Sequence, residues 1–292
     1  MTSATAPTEE LRTAPLAEVN AAAGFLLSAE AGWNQTVDDW RQMLADGEAI
    51  GQFSAAKQLV ASALILPYGE RLAWIAMVLT TASCRRRGLA TSNLRWAIER
   101  CRERGLLAGL DATPDGVEVY RPLGFQEVCG LQRLRAEQPG AQQVPCGDVA
   151  IRPLQAARDL DAIARLDARV FGADRRRLLA YLGRREPRRA LLAQAQGDLA
   201  GFVLARPGRV ALHIGPLLAQ SPTVAALLLA QALVGWSGPV SIDVPDRQSD
   251  FLALLQSAGF EPVRPFTRMI QGAPEKLGDM AGCFAVAGPE FG

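Results

Sequence analysis

LAWIAMVLTTASCRRRGLATSNLRWAIERC, residues Leu72–Cys101, holds the transition around which the chain is organised. Leu72 to Leu79 are all apolar and read as a buried strand. Arg85-Arg86-Arg87-Gly88-Leu89-Ala90-Thr91 then turns directly into a segment whose apolar residues Leu94, Ala97, Ile98 and Cys101 recur at helical spacing. A tight strand-to-helix turn aims free backbone N–H groups and the positive end of the helix dipole at one point, which suits a phosphate. Gly88 lets the backbone approach an anion closely, Ala90 is the next smallest choice, and the arginines add charge at the mouth. Taken alone, the loop fits an ordinary capped helix with a solvated arginine cluster equally well.

Outward from this stretch the chain repeats itself. Ala136–Val149 (AEQPGAQQVPCGDV) lacks hydrophobic periodicity and reads as a linker. On each side of it comes a short strand and a helix: Leu11-Arg12 and Pro15-Leu16 leading into Ala17–Glu30, then Ile151–Leu154 leading into Asp159–Val170. Each half later has a strand ending in Asp, LDATP (Leu110–Pro114) and IDVP (Ile242–Pro245), and a short helix closed by Gly-Phe, at Gly124-Phe125 and Gly259-Phe260. An Arg stands at the same offset after each Phe, Arg133 and Arg268. The pattern predicts two copies of one domain: 1–137 with the anion loop, a linker over 138–149, and a second copy over 150–292. In the first copy, helices are expected over 15–30, 36–45, 88–104 and 115–122, with Thr36 and Asp39 as cap residues. Strands are expected over 49–55, 58–66, 71–80, 107–112 and 126–134. The fold class is α/β: a mostly antiparallel mixed sheet with helices on both faces.

Composition excludes several function classes. The formal net charge is +1, too small for a field that recruits nucleic acid or anionic membrane. The arginine clusters 175–177 and 184–189 lie beside Asp174 and Glu186 without interleaved aromatics, and are expected to be solvated helix faces. Cys84, Cys101, Cys129, Cys146 and Cys283 form no CxxC, so neither a disulfide framework nor a zinc site is expected, and a reducing cytosol fits. His213 is the only histidine, which leaves no conventional catalytic zinc site. It falls in the alternating run 209–214 and reads as a strand residue. MTSATAPTEE lacks the pattern of a signal peptide, and residues 1–9 read as a loose tail. No charge-free run of membrane-spanning length occurs, so a cytoplasmic protein is expected.

Arg85-x-x-Gly88-x-Ala90 after an apolar strand resembles the acyl-CoA loop of the GNAT superfamily of N-acyltransferases. Tyr120-Arg121-Pro122-Leu123-Gly124-Phe125 resembles the superfamily's second hallmark, a Tyr shortly before Gly-Phe. AGWNQTVDDW (Ala31–Trp40), LDATP, FTRMIQG (Phe266–Gly272) and AVAGPEFG (Ala285–Gly292) resemble tandem GNAT proteins with a YitH-type acetyltransferase domain as their second half. The resemblance covers nearly the whole chain past residue 10. It implies that backbone groups of Val78, Leu79 and Thr80 pair with the pantetheine arm of acetyl-CoA. Amides around Arg85, Arg86, Arg87, Gly88, Leu89, Ala90 and Thr91 would hold the pyrophosphate, and Tyr120 would protonate the departing thiolate. One departure is Ala82, where many members have Pro; no backbone donor is lost by it. The second copy, HIGPLLAQSPTVAALLLAQAL (His213–Leu233), lacks the Arg-x-x-Gly motif, and no Tyr precedes Gly259-Phe260, so it is expected to shape the substrate cleft without catalysing.

The implied reaction is direct attack of a neutral amine of a small molecule on the thioester, with a backbone N–H near Val78 polarising the carbonyl and no metal. A base or water chain must take the amine's proton. Candidates are Asp111, Glu30 and Asp38, with Trp33 and Asn34 near the substrate. Asp111 could equally cap the turn into the next helix, and Trp33 could be core or cleft wall. Cys84 suggests a covalent route but has no His beside it in the sequence. A protein or peptide amine as acceptor, and a non-catalytic acyl-CoA-binding regulator, stay open beside this reading. A monomer with internal pseudo-dimer symmetry or a weak homodimer is expected.

Overall fold

A computed structural model describes residues 11–140, 147–272 and 278–292. The tail over residues 1–9, part of the linker and Cys146 lie outside the described residues. The chain forms two compact units, Met1–Leu66 with Ile75–Arg100, and Pro67–Trp74 with Cys101–Gly292.

Strands β1 (Arg12–Leu16), β2 (Glu48–Phe53), β3 (Leu59–Tyr68) and β4 (Leu72–Thr80) are hydrogen-bonded in that order, and all but residues 67–74 at the β3–β4 turn belong to the first unit. Helices α1 (Ala21–Glu30) and α2 (Val37–Asp46) connect β1 to β2, and α3 (Leu89–Glu103) follows β4. The helix expected from residue 15 starts later, because Arg12–Leu16 pairs antiparallel with β2. Pro15 has no N–H to donate, and an edge strand tolerates that. Thr36 caps α2 as the sequence suggests: its Oγ1 accepts from Asp39 N (3.3 Å), and its own N–H donates to Asp39 Oδ2 (2.8 Å). Trp40 on α2 is fully buried and lies so close to α1 that a Cβ at Gly24 would collide with the indole. That packing fixes the turn between the helices, where Trp33 and Asn34 sit.

The second unit shows the repeat. Strand β5 (Leu107–Ala112), helix α4 (Pro114–Tyr120) and strand β6 (Phe125–Ala136) close the first half. The second half then runs β7 (Val149–Pro153), α5 (Ala156–Phe171), α6 (Arg176–Arg185), β8 (Leu191–Ala195), β9 (Asp198–Arg206), β10 (Leu212–Ala219), α7 (Pro222–Leu233), β11 (Val240–Pro245), α8 (Ser249–Ser257) and β12 (Glu261–Gln271). Up to β12 this is the order of the first half over again. A further short strand, β13 (Cys283–Ala285), follows. Gly124 and Gly259 take left-handed backbone (φ 89° and 83°) before their Phe residues, which explains the repeated Gly-Phe.

The strand order is β5-β12-β6-β11-β10-β9-β8-β7. The halves have exchanged their last strands: β12 of the second half pairs antiparallel with β5 of the first, and β6 of the first pairs with β11 of the second. Each exchanged strand brings an arginine opposite an aspartate. Arg268 meets Asp111 through Nε–Oδ1 (2.9 Å) and Nη2–Oδ2 (2.8 Å), and Arg133 meets Asp243 through two contacts of 2.7 Å. Both aspartate side chains are fully buried. Bidentate pairs are the geometry in which a buried carboxylate is best compensated. The repeated Arg offset is thus a reciprocal lock between the two halves.

Two of the arginines expected on solvated faces are interior instead. Arg175 forms a buried bidentate pair with Asp167 (3.0 and 2.7 Å) and donates to the carbonyls of Phe291 and Gly292. Arg189 is buried against the carbonyls of Ala232 and Val234. Among the described residues no helix is long and apolar enough to cross a membrane, and no group of His, Cys, Asp and Glu is arranged to hold a metal ion.

Candidate active site

The predicted residues divide between the units. Trp33, Asn34, Val78–Thr80 and Arg85–Thr91 belong to the first; Asp111 and Tyr120 belong to the second.

In the first unit β4 is not a regular strand. Met77, whose side chain is buried, has φ 51°. A non-glycine residue held left-handed costs on the order of 1–3 kcal/mol, so the surroundings must enforce it. Ser62 on β3 is fully buried and donates from Oγ to Met77 O at 2.8 Å. After β4, Arg86 (φ 61°) and Gly88 (φ 76°) are both left-handed and alternate with ordinary backbone. Left-handed residues in a turn can bring successive N–H groups toward one point, an arrangement suited to an anion. Helix α3 begins at Leu89, so the N–H groups of its first turn have no partner within the helix. Arg85–Gly88 are exposed, and a Cβ on Gly88 would meet nothing within 4 Å. Two buried polar atoms nearby in sequence, Thr80 Oγ1 and Asn93 Nδ2, have no hydrogen-bond partner. An exposed left-handed turn leading into a helix N-terminus is an arrangement that can accept an anionic group.

Glu30, at the end of α1, holds the approach to this loop. Its carboxylate accepts from Ala82 N and from Thr81 Oγ1, each at 2.7 Å. The Ala82 N–H, the Thr81 hydroxyl and then the Arg85 charge hold its pKa below the usual glutamate value. A carboxylate engaged in this way is a tether and a weak base. The bond uses the N–H that Pro at position 82 would lack, so the departure from the family's Pro adds a contact. Asp38, the other acidic candidate in this unit, pairs with Arg41 at 2.5 Å on the exposed side of α2. Asn34 is buried and Trp33 partly exposed, with Trp33 N donating to Ser28 O. Cys84 is buried, with Arg87 Nη1 at 3.7 Å from its sulfur.

In the second unit both carboxylate oxygens of Asp111 are bound by Arg268. Burial works against the Arg268 charge, but Asp111 outweighs it and keeps the guanidinium pKa above its usual value. Tyr120 ends α4 with its ring against Phe125 (centroids 6.1 Å apart) and over Gly116, where a Cβ would come within 2.9 Å of the ring. Burial pushes the phenol up to about 12, so it keeps its proton at neutral pH. His213 is buried on β10, where burial first and the Arg206 charge second depress its pKa to about 3. It stays neutral and is a poor base.

The two halves treat their parallel strand pairs differently. β4 runs beside β5 only at Leu72–Trp74 opposite 107–109, and β10 beside β11 only at 212–214 opposite 240–242. Beyond the second ladder, β13 joins β10 with Leu217 opposite Ala285 and Leu218 opposite Cys283, while Val286 N donates to Asp243 O on β11 at 3.0 Å. In the second half, the backbone of β13 and Val286 therefore occupies the space where β10 and β11 part beyond residues 214 and 242. Sequence reasoning missed this strand, the Ser62 contact and the Glu30 tether; none has a local signature.

Two family models match the chain: "Acetyltransferase (GNAT) family" over residues 22–125 and "Acetyltransferase (GNAT) domain" over 163–285. The chain belongs to the GNAT acetyltransferases. This tandem GNAT protein is 24% identical over 237 residues to an uncharacterized N-acetyltransferase, YitH, of Bacillus subtilis (80% of this chain, 82% of that one). It is 26% identical over 242 residues to holothin acyltransferase of a Pseudoalteromonas species (80% and 78%). In fold it matches the crystal structure of a putative acetyltransferase from Pyrococcus horikoshii with TM-score 0.78 at 21% identity, over 100% of this chain and 99% of that one.

Proposed function

We propose that this GNAT protein transfers an acetyl group from acetyl-CoA to a primary amine of a small molecule, using one cofactor site in residues 1–137. The observation that carries the reading is the left-handed pair Arg86 and Gly88 at the start of α3. Their nest would hold the pyrophosphate, with Arg85–Thr91 around it, and Val78–Thr80 would receive the pantetheine arm as an added strand. Acetyl-CoA supplies the activated acyl group. The Val78 N–H would polarise the thioester carbonyl as negative charge grows on it. The amine nitrogen bonds to that carbonyl carbon and the carbon–sulfur bond breaks. The proton lost by nitrogen goes to solvent, and the sulfur leaves with help from the Tyr120 hydroxyl. A small-molecule acceptor is favoured over a protein because a relative at 26% identity is named for acyl transfer to holothin. Asp111 is set aside as the base, since Arg268 occupies its carboxylate.

Tyr120→Phe tests the chemistry, because it deletes the hydroxyl and keeps the ring that packs on Phe125. General acid assistance is typically worth about 10²–10⁴-fold. With an amine found by screening pools for free-thiol release, kcat should fall at least about tenfold while acetyl-CoA affinity stays within about threefold, the pattern of an interaction made only in the transition state. Turnover at the wild-type rate would remove Tyr120 from the mechanism. Failure of every amine to release CoA from the wild-type protein would favour an acyl-CoA-binding regulator.

A further inference from the structure

We infer that Ser62 is a positioning residue for the acyl transfer: its hydroxyl fixes the Met77–Val78 peptide so that the Val78 N–H faces the thioester carbonyl. The inference rests on the proposed acetyl-CoA site and adds to it the group that sets its geometry.

Four non-glycine residues among those described have clearly positive φ: Lys57, Met77, Arg86 and Gln196. Met77 alone of these lies inside a strand. In regular β backbone its carbonyl would join a ladder, and a left-handed residue rotates that carbonyl out of register. The Met77 carbonyl accepts the Ser62 Oγ–H at 2.8 Å. Ser62 is itself fully buried on β3, so no water competes for the bond. The peptide that follows Met77 is a rigid plane in which C=O and N–H point in opposite directions. Pinning the carbonyl toward β3 therefore turns the N–H of Val78 away from β3. The strain at Met77 and the buried hydroxyl that holds it have one geometric consequence, the direction of this single donor. Donors that stabilise a developing oxyanion act through such preorganisation.

The test reads carbonyl polarisation directly and needs no amine. Acetyl-CoA labelled with ¹³C at the acetyl carbonyl is bound to the full-length protein, and the infrared band of the label is compared with that in water. The wild-type protein should move the band to lower wavenumber. Ser62→Ala, which removes only the hydroxyl, should lose the larger part of that displacement with acetyl-CoA affinity within about threefold of wild type. Ser62→Thr, which keeps the donor, should retain the displacement. Should the alanine variant fail to fold, Ser62→Cys, with a weak donor of similar size, should show a smaller displacement than wild type. With an amine in hand, kcat of Ser62→Ala should fall by about tenfold, less than the roughly 10²–10³-fold that outright loss of an oxyanion donor costs. A full displacement in Ser62→Ala, or one lost equally in Ser62→Ala and Ser62→Thr, overturns the positioning role and leaves the cofactor site standing. A wild-type protein that does not bind the labelled thioester overturns the site and this inference together.

Discussion

A fragment ending at Glu137 should be insoluble or lack a cooperative unfolding transition, and co-expression with residues 138–292 should restore a soluble complex. The fragment contains the whole proposed cofactor site, so motif content alone would expect it to work. The strand exchange says otherwise. Cutting after Glu137 takes β12 from between β5 and β6 and β11 from the far side of β6. Leu110 and Ala112, beyond the short β4–β5 ladder, and Leu131 and Leu134 on β6, all nearly fully buried in the intact chain, then lose their neighbouring strands. Open apolar edges of this kind template aggregation. Asp111 and Arg133 lose their partners at the same time. Breaking a buried pair costs about 3–5 kcal/mol while the charge stays buried, a large share of the roughly 5–15 kcal/mol that holds a domain folded. The competing arrangement is β6 moving beside β5, with Arg133 taking the place of Arg268 on Asp111. It would strip Leu134 and Ala136 of the cover that β11 provides. A soluble 1–137 fragment that binds acetyl-CoA as tightly as the full chain would show that this unexchanged form is reachable and that the second half is a separate module.

Gly88→Asp should abolish measurable acetyl-CoA binding in a protein that still folds. Gly88 has φ 76°, and no heavy atom lies within 4 Å of where its Cβ would stand. Asp tolerates left-handed backbone better than most residues, so folding should survive at modest cost. The new carboxylate would face the pyrophosphate across the nest. Like-charge juxtaposition costs several kcal/mol, and each 1.4 kcal/mol or so is tenfold, so affinity should drop about 10²-fold or more. Gly88→Asn, similar in shape and in backbone tolerance but neutral, separates charge from strain and should bind far more tightly than the Asp variant. Equal affinities for the two, or an Asp variant that binds like wild type, would remove the phosphate nest from the account.

What could be read in the sequence was local. The apolar run of β4, the turn at Gly88, the Thr36–Asp39 capping box and the Gly-Phe pairs each lie within a few residues of the structure they cause. The strand exchange could not be read for a specific reason. Asp111 and Asp243, and Arg133 and Arg268, occupy equivalent places in the two copies, so the repeat that reveals the domains leaves open which arginine meets which aspartate. Arg175 looked solvated because its partner Asp167 lies on another helix, α5. Met77 looked like one more apolar strand residue, since alternation carries no information about φ. Glu30 drew attention as an acid in the right region, but its role depends on an N–H 52 positions away.

Calorimetric titration of the full-length protein with acetyl-CoA tests the central claim most directly. The first half has the exposed left-handed turn at Arg86 and Gly88 proposed to hold the pyrophosphate, whereas the second half lacks the Arg-x-x-Gly loop and has β13 paired along the far end of β10. One site per chain is expected. Two equivalent sites would contradict the reading of the second half, and no binding at all would contradict the acyl-CoA site itself.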